Sequence, residues 1–303
     1  MNAEVLRYSA FTENGRGGNY AGVVLRAGSL TEAQMLAIAQ AIGYSETAFY
    51  IPACPRLAGA VALEDRAGEL AGSLRFFSPV AEVAFCGHAT IATAVALAER
   101  HGPAVGRLVT AAGPITVSTQ LENGELVATL TSPPTTTRPV DDRMLHEALT
   151  TLRWTREHLD PRYPVHVAYA GNQHLLVAVR TRETLTRLDY DYPALRALML
   201  REDWTTAHLF WSESATVFHA RNPFPPGGIV EDPATGAAAA AFGGYLRDLD
   251  LVPLPARVTV HQGHDMGSPS RLLVDLHPDT ATIQVSGGAT RLALSPYDEM
   301  VAP

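Results

Sequence analysis

His88 lies in the run Cys86-Gly87-His88-Ala89-Thr90, directly ahead of the nearly unbroken apolar stretch to Ala98. Small residues before such a helix leave its first N–H groups uncovered. Those donors and the positive end of the helix dipole can hold an anion. Histidine is also the side chain that ordinarily exchanges a proton near neutral pH, so His88 is either a proton carrier or a helix cap. Glu231-Asp232-Pro233-Ala234-Thr235-Gly236-Ala237 repeats the logic ahead of a second apolar stretch. Asp232 is suited to N-cap a helix whose first residue is Pro233, and Gly236 lets a ligand approach the backbone. Two such helix starts facing one cleft would grip a small carboxylate. Glu46, in Ser45-Glu46-Thr47, is a further carboxylate with no local feature to distinguish it from a solvated turn residue.

Other chemistries fall on inventory. All 23 basic residues are arginine and none is lysine, which removes Schiff-base, pyridoxal and P-loop mechanisms. The loop Gly15–Gly22 fails the dinucleotide pattern at Tyr20 and runs into a strand-like segment, leaving Asn19 as a residue that can line a site. Ser45 lacks the second glycine of a nucleophile elbow. His261, His264 and Asp265 match no firm metal-ligand spacing and read as loop polarity. Cys54 and Cys86 make neither a disulfide framework nor a zinc site by themselves. A net charge of −8 with scattered arginines argues against a nucleic-acid partner. There is no signal-peptide pattern and no membrane-length apolar run, so a cytoplasmic protein is expected.

The elements that must position these residues follow from periodicity and punctuation. Glu4–Phe11 and Ala21–Ala27 read as strands around the glycine-rich loop, and Thr31–Gly43 as a capped helix ending at glycine. SETAFYIP and LAGSLRFFSP read as strands, and His88–Arg100 as a helix. A hairpin turns at Asn123-Gly124. Thr131–Pro139, with its paired prolines, reads as an extended connector. Beyond it, Asp141–Leu149, Tyr192–Glu202 and Asp232–Leu249 suit helices. VHVAYAG, HLLVAVR, HLFWSE, ARVTVHQG and SRLLVDL suit strands. The two all-apolar helices, His88–Ala98 and Gly236–Leu246, lie about half a chain apart. Periodicity alone leaves two readings open: a central helix in each of two halves, or two buried helices in one α+β domain.

FTENGRGGNYAGVV, GYSETAF, RFFSPVAEVAFCGHAT, GGIVEDPATGA and QGHDMGSPSR occur in an order that resembles the phenazine-biosynthesis PhzF-like family, and they span Phe11 to Arg271. The resemblance implies an α/β (α+β) fold of diaminopimelate-epimerase type. That fold has two pseudo-symmetric halves, each a curled mixed sheet around a central helix, with the site in the cleft between. The expected division is 1–132, completed by 288–303, and 138–287, with a linker at about 131–139. Also implied are a homodimer and isomerase chemistry with neither metal nor organic cofactor. Glu46 would be the proton shuttle, with His88 and Asp232 as its partners. Asn19, Gly87, Gly236 and Ala237 would contact a small carboxylate substrate. The sequence departs from the family pattern at Ala237, where serine is frequent, at Tyr20, which replaces proline, and at Ser268, which replaces arginine. These departures leave the natural substrate open.

Two alternatives remain at this level. A two-base epimerase would use a thiol at each helix start, but only Cys86 is available, so Asp232 would have to serve as its partner. A non-catalytic binder of carboxylates would need no shuttle at Glu46.

Overall fold

The computed structural model describes residues 4–53 and 69–293, so Cys54 lies outside the described residues. The structure is α+β and dominated by strands. It divides into two compact units, Met1–Thr131 with Ser286–Pro303, and Ser132–Val285.

In the first unit, β1 (Glu4–Ala10) and β2 (Asn19–Leu25) run antiparallel around the glycine-rich turn. Gly18 adopts φ +82°, and a Cβ there would fall 2.5 Å from the Ala10 carbonyl, so only glycine fits the entry to β2. Helix α1 (Glu32–Ile42) starts in a capping box between Thr31 and Gln34 and stops at Gly43, whose backbone is left-handed. It packs Met35 and Ala39 on Val24, Phe49 and Phe77. There follow β3 (Glu46–Pro52), β4 (Glu69–Phe77), the two-residue β5 (Glu82–Val83) and α2 (Gly87–His101). The remaining strands of this stretch are β6 (Val105–Thr110), β7 (Gly113–Glu122) and β8 (Glu125–Thr131). The β7–β8 turn is the predicted Asn123-Gly124, both at positive φ.

Helix α2 is buried at every residue from His88 to Ala98 and packs against β1, β2, β3, β7 and β8. Alanine dominates it because strands surround it on several sides. The hydroxyls of Thr90 and Thr93 donate to the carbonyls of Cys86 and Ala89 at 2.7 Å, so neither is an unsatisfied polar group in the core. Tyr8 of β1 donates its hydroxyl to Glu99 at 2.6 Å and pins the far end of the helix.

The second unit opens with β9 (Thr136–Pro139), α3 (Asp142–Thr151), β10 (His166–Tyr169) and β11 (Gln173–Ala178). Next come the short α4 (Arg182–Thr186), α5 (Tyr192–Glu202), β12 (Trp204–Ser212), β13 (Val217–Pro223) and the two-residue β14 (Glu231–Asp232). Helix α6 (Gly236–Asp248), β15 (Ala256–Gln262) and β16 (Ser270–Leu276) complete it. The extended connector thus ends in a strand, β9, which pairs antiparallel with β10. Helix α6 packs against β9, β10, β11, β12 and β16. Leu145 and Leu149 of α3 and Leu195, Leu198 and Met199 of α5 form a separate apolar core with Val177, Trp204 and Leu209.

The last strand, β17 (Gln284–Arg291), pairs with β1 and β8, which closes β1-β2-β3-β4-β6-β7-β8-β17 into a ring of hydrogen-bonded strands. The two units repeat one topology. Along β17/β1/β2/β3/β4/β6/β7, successive pairings are antiparallel, antiparallel, parallel, antiparallel, parallel and antiparallel. The series β9/β10/β11/β12/β13/β15/β16 gives the same sequence of orientations. In each unit a two-residue strand, β5 on β4 or β14 on β13, leads into the central helix. Gly87 and Gly236 are the first residues of the two helices, so Gly236 corresponds to Gly87 rather than to His88.

Candidate active site

In the first unit the site is assembled at the start of α2. Cys86, in extended conformation, is the N-cap residue, and no side chain caps the helix, so the open N–H groups anticipated from the sequence are present. His88, the second helical residue, is buried and does not cap the helix. Its Nε2 lies 3.5 Å from Oε2 of Glu46 and 3.4 Å from Oγ of Ser45. Its Nδ1 lies 3.2 Å from Nδ2 of Asn19. With the Asn19 amide as donor, Nδ1 accepts, and the ring proton of the neutral imidazole sits on Nε2, facing Glu46. The Cys86 thiol donates to Glu46 Oε2 at 3.7 Å and lies 3.3 Å from His88 Nδ1.

This convergence follows from strand register. Parallel pairing sets Ala21 of β2 opposite Glu46, the first residue of β3, so Asn19 and Glu46 emerge at one end of the sheet. The Glu46 side chain is 20% exposed and that of His88 7%, which leaves the carboxylate reachable beside a buried ring. Asn19, Glu46, Gly87 and His88 are therefore neighbours in one unit. Ser45 joins them, although its sequence context singled it out only as a failed nucleophile elbow. Glu46, Cys86 and His88 also each offer a metal-ligating atom within 4.8 Å of the other two.

In the second unit the start of α6 carries Asp232, Gly236 and Ala237. The expected cap is corrected here: α6 begins at Gly236 with Thr235 as N-cap, and no side chain caps it. Asp232 instead belongs to β14, paired with Asn222, and that pairing keeps its backbone extended. Its Oδ2 accepts the Thr235 hydroxyl at 2.5 Å. Gln262, 1% exposed at the end of β15, completes the arrangement. Its Nε2 donates to the Asp232 carbonyl at 2.7 Å and to Thr235 Oγ1 at 3.0 Å, while its Oε1 accepts from the Thr235 N–H at 3.1 Å. The Thr235 oxygen is thus an acceptor toward Gln262, and its own proton is directed at Asp232. Gly263, at φ +76°, packs its α-carbon beneath the same loop, where a Cβ would fall 2.7 Å from the Pro233 carbonyl.

Glu231 is held by Arg221 of β13, through Nε at 3.0 Å and through Nη2, with both side chains largely buried. The equivalent pair in the first unit is Arg75 of β4 and Glu82 of β5, bonded at 2.7 and 2.6 Å. The Arg75 guanidinium holds the Glu82 carboxyl below its ordinary range. Each launching strand is thus clamped by a bidentate arginine two residues from its pairing partner.

Of the three residues read as loop polarity, His264 and Asp265 lie in the turn between β15 and β16, and the reading needs correction at His261. His261 lies within β15 and stacks on His219 at 5.1 Å, and Asp265 is paired with Arg182 at 2.9 Å. That pairing keeps the Asp265 carboxyl low against the opposing effect of burial. Among the described residues no helix is long and apolar enough to cross a membrane.

Comparison with known proteins identifies the family and the fold. A family model described as phenazine biosynthesis-like protein matches residues 8–293. An uncharacterized isomerase of Deinococcus radiodurans is 30% identical over 301 residues, covering 95% of this chain and 93% of its own. The trans-2,3-dihydro-3-hydroxyanthranilate isomerase of Pseudomonas chlororaphis is 28% identical over 255 residues, 84% of this chain and 83% of its own. The crystal structure of a PhzF-family phenazine biosynthesis protein from Bacillus anthracis superposes with a TM-score of 0.81 at 24% identity. The superposition covers 97% of this chain and 98% of that one.

Proposed function

The chain belongs to the phenazine biosynthesis-like (PhzF) family of isomerases, and from that premise we propose that it moves a proton within a small carboxylic acid, with Glu46 as the shuttle. The observation that carries the reading is the Glu46 carboxylate set 3.5 Å from His88 beside an uncapped helix start. Glu46, as carboxylate, takes a proton from a substrate carbon. The electron pair left behind moves into the adjacent unsaturated system. The protonated Glu46 then returns the proton to a different carbon on the same face. His88, donating through Nε2, and the first N–H groups of α2 stabilise the negative charge that develops. In the same proposal Asp232 and the backbone at Gly236 and Ala237 bind substrate, and Gln262 with Thr235 sets the direction of the Asp232 contact. Alanine at 237 supplies no hydroxyl, which favours an acid that asks for none there. A homodimer, to be read from the solution mass, stays part of the proposal, and Val105 and Val109 of β6 lie exposed.

The test is solvent deuterium incorporation. In D2O, with a panel of small unsaturated and hydroxylated acids that includes trans-2,3-dihydro-3-hydroxyanthranilate, label is expected at carbon for at least one acid. Binding detected with no exchange in any of them would favour the carboxylate binder instead.

The thiol of Cys86, in contact with both Glu46 and His88, is what keeps an epimerase reading in play. Thr235 stands at the equivalent N-cap in the second unit, where two-thiol chemistry would need a second cysteine. Full activity in Cys86→Ser would remove Cys86, and with it the Cys86/Asp232 pair.

A further inference from the structure

We propose that Cys86, His88 and Glu46 form a binding site for a thiophilic divalent cation of the zinc type, and that its occupancy blocks the proton shuttle. Binding itself is independent of the isomerase reading; only the blocking rests on it. Cys86 Sγ, His88 Nε2 and Glu46 Oε2 form a triangle with sides of 3.8 Å (Sγ to Nε2), 3.5 Å (Nε2 to Oε2) and 3.7 Å (Sγ to Oε2). Tetrahedral zinc with Zn–S of about 2.3 Å and Zn–N or Zn–O of about 2.0–2.2 Å separates its ligand atoms by roughly 3.3–3.7 Å. The three atoms therefore match one face of a coordination tetrahedron with at most a small adjustment. One thiol, one imidazole and one carboxylate are ligand types that zinc uses, and three protein ligands leave a fourth position for water. The partial exposure of Glu46 gives the ion a way in, while the 7% exposure of Cys86 keeps the sulfur away from bulk solvent.

Coordination changes two protons. The Cys86 thiol releases its proton to solvent and binds as thiolate, and the His88 ring must carry its proton on Nδ1 so that the Nε2 lone pair meets the metal. Asn19 then accepts from Nδ1–H through its amide oxygen, after its side-chain amide turns over. It becomes the outer-shell partner that orients the histidine. The metal thus competes with the shuttled proton for Glu46 and removes the Nε2–H donor that His88 would offer the substrate.

Cobalt(II), added as the metal alone to the purified full-length protein, is the probe. A Cys54→Ser background removes the other thiol. The expected result is a thiolate-to-cobalt charge-transfer band in the near ultraviolet that saturates at one equivalent, is displaced by zinc and is lost in Cys54→Ser/Cys86→Ser. Asn19→Ala should retain the band and bind about 10–100-fold more weakly. Circular dichroism shows that each variant is folded. No charge-transfer band, or one that persists without Cys86, overturns the site whatever the enzyme's activity. A band in a protein whose Glu46→Gln variant still turns over at the wild-type rate upholds the metal site and rejects Glu46 as the shuttle, and with it the blocking.

Discussion

Gln262 is the residue whose consequence reaches furthest for its size. One buried amide fixes three partners, so its loss takes the acceptor from the Thr235 N–H and a donor from the Asp232 carbonyl, and frees the Thr235 hydroxyl to rotate. Gln262→Leu is expected to lower the unfolding free energy by about 1–3 kcal/mol, the cost of buried groups left unpaired. Turnover should fall as well at temperatures where the variant remains folded. Urea unfolding and a rate assay check both, and an unchanged unfolding midpoint would contradict the bracing role. The sequence shows Gln262 inside a recognisable motif but not what it touches, because Asp232 and Thr235 lie about thirty residues away. The cap position failed for a related reason. Asp232 and Thr235 are both competent N-caps, and the choice is made by pairing of β14 and by Gln262, both tertiary. The approach of Glu46 to His88 came from family resemblance alone, since nothing in the spacing of two distant residues encodes a distance.

At the scale of elements, the units place their central helices through matching Arg–Glu clamps of unequal burial. The Arg221 and Glu231 side chains are 11% and 8% exposed, and those of Arg75 and Glu82 31% and 30%. Removing one partner of a buried pair leaves an uncompensated charge, whereas a half-exposed pair is replaced by water. Arg221→Ala should therefore cost about 3–5 kcal/mol of stability and Arg75→Ala about 1 kcal/mol or less. Denaturant titration of the two variants measures the difference, and equal losses would contradict it. Elements with strong local signals were readable in advance. Helix α1 has Thr31, Gln34 and Gly43 in place, the β7–β8 hairpin has Asn123-Gly124, and α5 spans Tyr192–Glu202 as predicted. Strands β5 and β14 were not readable, because two residues carry no periodicity. Strand β13 mixes polar and charged residues and ends at proline, and β17 contains two adjacent glycines, so neither shows the pattern of a buried strand.

Over the whole molecule, the polar ladder inside the second unit's sheet sets an acid limit on stability. His174 Nδ1 lies 2.8 Å from Thr206, Asn222 donates to Thr206 at 3.3 Å, and His208 Nδ1 lies 2.9 Å from Asn222. All four side chains are buried. Burial pushes His174 down to about 3, with His208 adding to the effect. Burial likewise pushes His208 down to about 4, against the opposing effect of the hydrogen bond it donates to Asn222 Oδ1. In the unfolded chain both return to about 6.5. Between about 4 and 6.5 the unfolded state binds more protons, so stability falls as pH drops through that window. Each histidine contributes up to about 1.4 kcal/mol per pH unit, and above pH 7 they add no slope. Urea midpoints at pH 7.5, 6 and 5 should decline progressively, and a flat series would contradict the neutral, buried assignment.

In the proposed mechanism Glu46 alone carries the proton. Once exchange has identified a substrate, steady-state turnover of Glu46→Gln tests this role, because glutamine keeps the shape and hydrogen-bonding reach of the side chain but cannot act as the base. A fall in kcat of about 10²–10⁴-fold is expected, the usual contribution of a positioned acid–base group, with the variant still folded and still binding the acid. Turnover at the wild-type rate would contradict it.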